Sequence, residues 1–224
     1  KTIDNDLAAT DFTFGFWSAV EVATEALDRL HTTAESHDRV MILEVMGRTA
    51  GWIALYAGVA GGADCIALPE LPYDPERFCH KILARRTRGR QFSLIVVAEG
   101  ARPRGGEASS GRVRHGRGSI RADGAGQTLA RALAERLDVE TRVTVLGHLQ
   151  RGGGPIPYDR VLATQFGVQA VTLVERGQWG TMVRLAGGVV GSAPLEQAAG
   201  APRLVDPGHP LIVTARAVGI ELGA

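Results

Sequence analysis

Apolar positions along the chain fall into two alternating rhythms. Behind Thr10 and Asp11, either of which can cap a helix, Phe16, Val20, Ala23, Leu27 and Leu30 recur at helical spacing. Val40 to Val45 is a short apolar, β-branched run and predicts a strand. A second helix is predicted through Trp52 to Ala60 and a strand over Cys65 to Leu68. Asp74-Pro75 reads as a helix start with proline at the first position, and that helix runs to about Arg88. Phe92 to Ala98 is the strongest buried-strand signal, apolar on both faces, as in a parallel sheet covered on both sides. The pattern continues with a helix from Gln127 to Leu137, a strand from Arg142 to Leu146, a Gly/Pro loop and a helix from Tyr158 to Glu175. The glycine- and arginine-rich stretch from Arg102 to Gly118 has no periodicity and predicts a mobile surface loop. The last 40 residues read less regularly. Alternating strands and helices predict an α/β fold with mostly parallel sheets and helices on both faces.

Polar residues cluster where the predicted strands stop, which in such sheets is where ligands bind. Four clusters result: Thr2-Ile3-Asp4-Asn5-Asp6, Met46-Gly47-Arg48, Ala98-Glu99-Gly100, and Gly147-His148-Leu149-Gln150-Arg151-Gly152-Gly153. Asp4 and Asp6 follow a hydroxyl at i, i+2 spacing. An Asp can orient an attacking hydroxyl and take its proton, and a second carboxylate offers a hard oxygen to Mg²⁺. Asp4-Asn5-Asp6 also reads as an Asx-turn ahead of a helix. Arg39, Arg48, Arg142 and Arg151 supply guanidiniums that can fork onto phosphate oxygens, although each alone also reads as a solvated surface arginine. Glu99, after a wholly apolar run, either caps the next loop or accepts from a polyol.

Composition narrows the classes further. Of 224 residues 45% are hydrophobic and 22% charged, the balance of a globular protein, and the formal net charge is +1. Neither nucleic acid nor a membrane is called for, and no apolar run approaches the roughly 20 residues of a spanning helix. Cys65 and Cys79 lie in different predicted elements without metal-like spacing, which predicts two buried thiols in a reducing, cytoplasmic setting. Lys1 leads straight into a carboxylate-rich loop, and the chain is read as a fragment of a longer protein.

The strings TIDNDL, SHDRVMILEVMGRTAGWIAL, VVAEG and RVTVLGHLQRGGGPIPYDR, in that order, resemble the 6-phosphofructokinases. The resemblance spans nearly the whole chain and is weakest after about Gly188. It implies phosphoryl transfer to the 1-hydroxyl of fructose 6-phosphate in glycolysis, with Mg²⁺ and with ATP or pyrophosphate as donor. It implies Asp4 as the base, Asp6 as a second assisting carboxylate and Arg48 as a stabiliser of transition-state charge. Thr2, Ile3, Met46, Gly47, Arg48, Glu99, His148, Leu149, Gln150 and Arg151 would line the sugar-phosphate site, with His148 on the 6-phosphate. Arg39 and Arg142 would reach into the site of a neighbouring subunit, so a dimeric or tetrameric homo-oligomer is implied. The implied organisation is the end of a donor-binding domain at 1–15, a sugar-phosphate-binding domain at 16–149, a return to the first domain at 150–200 and a C-terminal segment at 201–224.

The resemblance is incomplete in three places. The family's nucleotide-binding glycines and main Mg²⁺ ligand would precede Lys1. Lys1 itself occupies a position that is Gly in many ATP-dependent members and Lys in pyrophosphate-dependent ones. His31 stands where bacterial effector sites have Arg, while Arg88, Arg90 and Asp64 partly retain that site. A non-catalytic sugar-phosphate-binding module is the rival of another class, and retention of Asp4 argues against it.

Overall fold

The computed structural model describes residues 2–106, 112–115, 118–121 and 124–224, with 112–121 described in backbone only. At its centre four parallel strands lie in the order β2-β3-β1-β6: β1 is Val40–Val45, β2 Cys65–Ala67, β3 Ser93–Ala98 and β6 Thr141–Val145. Register aligns Val45 with Ala98 and Glu44 with Val145, so the carboxyl ends of the three longer strands come level along one edge. Every residue of β1 and β3 is buried, as the doubly apolar run predicted for β3.

Four helices account for that burial. Helix α1 (Phe16–His37) packs with α2 (Trp52–Ala60), and α3 (Pro75–Thr87) packs with α4 (Ala125–Ala134). In α1 the buried side chains are Phe16, Ala19, Val20, Ala23, Leu27 and Ala34, which include Phe16, Val20, Ala23 and Leu27 of the stripe read from the sequence, while its last member, Leu30, is half-buried. Asp74 caps α3 as expected, its side chain accepting from Glu76 N at 2.9 Å. Glu44, 2% exposed in the middle of β1, accepts from Gly126 N at 2.8 Å and so serves the first turn of α4. The rest of the chain forms α5 (Pro157–Glu175), an antiparallel hairpin of β7 (Thr181–Ala186) and β8 (Val189–Pro194), a short α6 (Leu195–Ala198) and α7 (Pro210–Ala217).

Two expectations are corrected. The α1 cap is neither Thr10 nor Asp11 but Gly15, at φ 98° and with no side-chain cap. Thr10 Oγ1 instead accepts from Leu185 N at 3.1 Å, and Asp11 Oδ2 from Gly187 N at 2.7 Å, tying the chain to β7 and its turn. Within the stretch read as a mobile loop, β4 (Arg112–His115) pairs antiparallel with β5 (Gly118–Arg121); residues 107–111, 116 and 117 lie outside the described residues.

The C-terminal segment joins the core through Val205, Ile212, Ala215, Ile220 and Leu222. Its end runs beside β2, where Ile66 N donates to Glu221 O at 2.9 Å, covering one sheet edge. Among the described residues no helix is long and apolar enough to cross a membrane. Cys65 and Cys79 are buried free thiols.

Candidate active site

Three of the four polar clusters emerge side by side because their strands end level. After β1 the backbone turns sharply at Gly47 (φ 145°) and Arg48 (φ 52°). Glu99, the residue after β3, holds this turn: its Oε1 accepts from Arg48 N at 2.9 Å and from Gly47 N at 3.3 Å. After β6 the chain winds into a short 3-10 turn, Gly147–Arg151, whose buried Gln150 reaches both neighbours. Gln150 Oε1 accepts from Met46 N at 2.7 Å and its Nε2 donates to Ala19 O at 3.3 Å, so one amide joins β1, β6 and α1.

Gly100 is required by contact. A Cβ there would lie 2.1 Å from Arg48 O, so any side chain pushes the Arg48 turn away from Glu99. Gly100→Ala is expected to lower stability by about 1–3 kcal/mol, the usual cost of forcing such a backbone contact. The check is the urea midpoint, with an unchanged midpoint contradicting the tight approach.

Asp4 is 4% exposed, and its Oδ1 has no hydrogen-bond partner among the described residues, leaving one acceptor in use by nothing. Burial raises its carboxyl above the ordinary carboxylate value, and the Asp6 and Glu99 charges raise it further. Arg151 and Thr2 oppose that shift without cancelling it. The loop around Asp4 is fixed by Asn5, which adopts φ 55° and whose Oδ1 accepts from Thr13 N at 3.0 Å. Asparagine is among the few residues that adopt this conformation at low cost.

A cleft of about 310 Å³ opens beside this loop. Thr2 and Ile3 form one wall, Gly15 and Ser18 at the amino end of α1 another, and Gln150 to Pro155 the third. Arg151 is exposed at its rim, and His148 and Leu149, on the same 3-10 turn, are exposed as well, Leu149 at 70%. The third wall is anchored by residues the sequence gave no reason to connect. Asp159 Oδ2 accepts from Ser18 N at 2.7 Å and Ser18 Oγ at 2.6 Å, while Ser18 Oγ accepts from Ile156 N at 3.1 Å.

Arg39 and Arg142 are not brought to this cleft. They flank the opposite, amino-terminal ends of β1 and β6, one strand length or about 20 Å away. There they share Glu140: Arg39 Nε lies 2.8 Å from Oε2, and Arg142 pairs with Oε1. Arg39 and then Arg142 hold the Glu140 carboxyl below its ordinary value. Asp64 is also engaged within the fold, accepting from Leu94 N at 2.9 Å and pairing with Arg85 at 2.7 Å, while His31 stands edge-on to Phe92. Lys1, the candidate donor-specificity residue, lies outside the described residues. Among the described residues no group of three or more His, Cys, Asp or Glu is arranged to hold a metal ion.

A family model described as phosphofructokinase matches residues 1–174. The chain belongs to the phosphofructokinase family. It is 54% identical over 223 residues to an ATP-dependent 6-phosphofructokinase of Chloroflexus aurantiacus, covering 100% of this chain and 61% of that protein. It is 50% identical over 208 residues to a pyrophosphate–fructose 6-phosphate 1-phosphotransferase of Streptomyces coelicolor, covering 92% of this chain and 60% of that one. Phosphofructokinase of Saccharomyces cerevisiae superposes with a TM-score of 0.76 at 34% identity, over 88% of this chain and 25% of that chain. A pyrophosphate-dependent phosphofructokinase from Marinobacter aquaeolei gives 0.78 at 25% identity, over 99% and 55%. The chain thus spans about three-fifths of the length of the curated relatives. The α/β fold read from the sequence is the one these phosphofructokinases share.

Proposed function

We propose that this chain carries the sugar-phosphate site and the proton acceptor of a 6-phosphofructokinase, which makes fructose 1,6-bisphosphate from fructose 6-phosphate. The observation that carries the reading is Asp4: a buried carboxylate with one oxygen unpaired among the described residues and raised proton affinity, beside a cleft rimmed by Arg151. In this reading Asp4 takes the proton of the sugar 1-hydroxyl as its oxygen bonds to the transferring phosphorus and the donor's bridging oxygen departs. Glu99 and the Met46-Gly47-Arg48 turn hold the sugar, with Thr2 and Ile3 beside them. Arg151, His148 and the Leu149-Gln150 turn face its phosphate, and Asp6 provides the second carboxylate.

The described residues do not make a complete metal site. Phosphofructokinase chemistry calls for a divalent ion, and Mg²⁺, which neutralises phosphoryl oxygens, is the ion proposed. The cytoplasm is the compartment proposed. ATP is the proposed donor, supported by the names of relatives such as those from Chloroflexus aurantiacus and Spirochaeta thermophila. Pyrophosphate is the second reading, favoured by Lys1 and by the Streptomyces coelicolor relative's name. A lysine beside the transferring phosphoryl group takes space that the α-phosphate of ATP would need. Comparing kcat/KM for both donors in the native protein decides this; pyrophosphate turnover without ATP turnover overturns the choice of ATP.

Arg39 and Arg142, remote from their own chain's cleft, fit a role in the site of a neighbouring subunit in a homo-oligomer. If they act there, mixed oligomers of inactive Arg142→Ala and inactive Asp4→Asn proteins regain part of the activity, because some sites hold both intact residues. Mixed oligomers confirmed by mass that recover nothing would place each site within one chain.

A further inference from the structure

We infer that Arg203, beyond the matched family region, is a positioning residue that clamps the Asp4–Asp6 loop in its working shape. The inference rests on the proposed role of that loop. Arg203 Nη2 donates to Asp11 O at 2.8 Å and to Asn5 O at 3.1 Å, and Nε donates to Asn5 O at 3.3 Å. Its backbone N–H donates to Asp6 O at 2.7 Å. From the other side Trp52, the first residue of α2, donates its Nε1–H to Arg203 O at 2.8 Å. The guanidinium carbon stands 4.9 Å from the Trp52 ring. One residue therefore joins the acidic loop, its return at Asp11 and the helix that follows the Arg48 turn.

Half-burying a guanidinium carries a desolvation cost, and that burial lowers the Arg203 pKa, with Asp11, Tyr56 and Asp6 opposing. The cost is offset by three hydrogen bonds to two carbonyls and by a ring face, an arrangement that suits a planar fork and not an ammonium. What the fork holds is the peptide between the two carboxylates. Asn5 reaches φ 55° at low cost, and the two Arg203 hydrogen bonds on its carbonyl select that conformation among the others open to it. If the Asn5 carbonyl is released, its peptide can rotate, and Asp4 and Asp6 turn with it. A displacement of about 1 Å in a catalytic group is enough to cost ~10²-fold in rate.

A small cleft of about 260 Å³ borders the clamp, lined in part by Asp11, Tyr56, Arg203 and His209. It offers a route by which a free guanidinium ion could enter after the side chain is removed.

The test uses the native protein and its Arg203→Lys and Arg203→Ala variants. In Arg203→Lys, kcat is expected to fall about 10- to 100-fold while KM for fructose 6-phosphate stays within about threefold. In Arg203→Ala, low concentrations of guanidinium chloride are expected to restore part of kcat, and to restore nothing in Arg203→Lys. Amide exchange of Asp4 and Thr13 is expected to speed up about tenfold or more in both variants, with β1 amides unchanged. Native kcat in Arg203→Lys, or unchanged exchange at Asp4 and Thr13, overturns the clamp. Should Arg203→Ala fail to fold, the lysine variant decides alone. A native protein that does not phosphorylate fructose 6-phosphate defeats the functional reading instead, and the exchange measurement then decides the clamp.

Discussion

Asp4→Asn is expected to lower kcat by roughly 10²- to 10⁴-fold, the range for loss of a general base. The substitution keeps size and burial but removes the proton affinity that burial, Asp6 and Glu99 confer on the carboxylate. Fructose 6-phosphate affinity should stay within a few fold, because Arg151 and Glu99 are untouched. Asn5 and its hydrogen bond to Thr13 are also unaffected, so the loop keeps its shape. Steady-state kinetics in the native protein and the variant provide the check. A kcat near that of the native protein would remove Asp4 from the mechanism.

Glu99→Ala is expected to act on a different quantity. It leaves the Gly47 and Arg48 N–H groups without the carboxylate that joins them, and Gly47 is buried. Hydrogen bonds to a charged acceptor contribute about 1.5–3 kcal/mol each, and the longer Gly47 contact contributes less than the Arg48 one. A total loss of about 2–4 kcal/mol follows, or roughly 4–16 °C in Tm for a chain of this size. KM for fructose 6-phosphate should rise at least tenfold as the Met46-Gly47-Arg48 turn loosens. Glu99→Gln retains an acceptor oxygen and should restore most of the stability while recovering less of the affinity. Equal effects of alanine and glutamine on both quantities would contradict the buttressing role of Glu99.

The strand ends were legible in the sequence for a physical reason. A parallel sheet buried on both faces keeps most of its strand positions apolar and lets polar residues gather where strands stop, so Met46-Gly47-Arg48, Glu99 and His148 to Arg151 stood out before any contact was known. Helix α1 was equally legible from Phe16 to Leu27, but its cap was not. Thr10 and Asp11 satisfied the local rule for a cap, and their tertiary partners, Leu185 and Gly187, took them instead. The supporting contacts were hidden by chain separation: Gln150 meets Met46 across 104 positions, Asp159 meets Ser18 across 141, and Arg203 meets Asn5 across 198. Each of those residues, read alone, is an ordinary polar residue in a loop or helix. The opposite-edge location of Arg39 and Arg142 was visible as strand starts, although their shared partner Glu140 was not.

The most direct measurement is ³¹P NMR of the native protein with fructose 6-phosphate, Mg²⁺ and either ATP or pyrophosphate, run beside Asp4→Asn. The expected result is a second phosphomonoester signal, on the sugar C1, that grows with the native protein. With Asp4→Asn it should be slowed at least a hundredfold, while calorimetry shows fructose 6-phosphate still bound. No C1 signal from the native protein with either donor, or an equal rate from Asp4→Asn, would contradict the assignment of Asp4 as the acceptor of the sugar's proton.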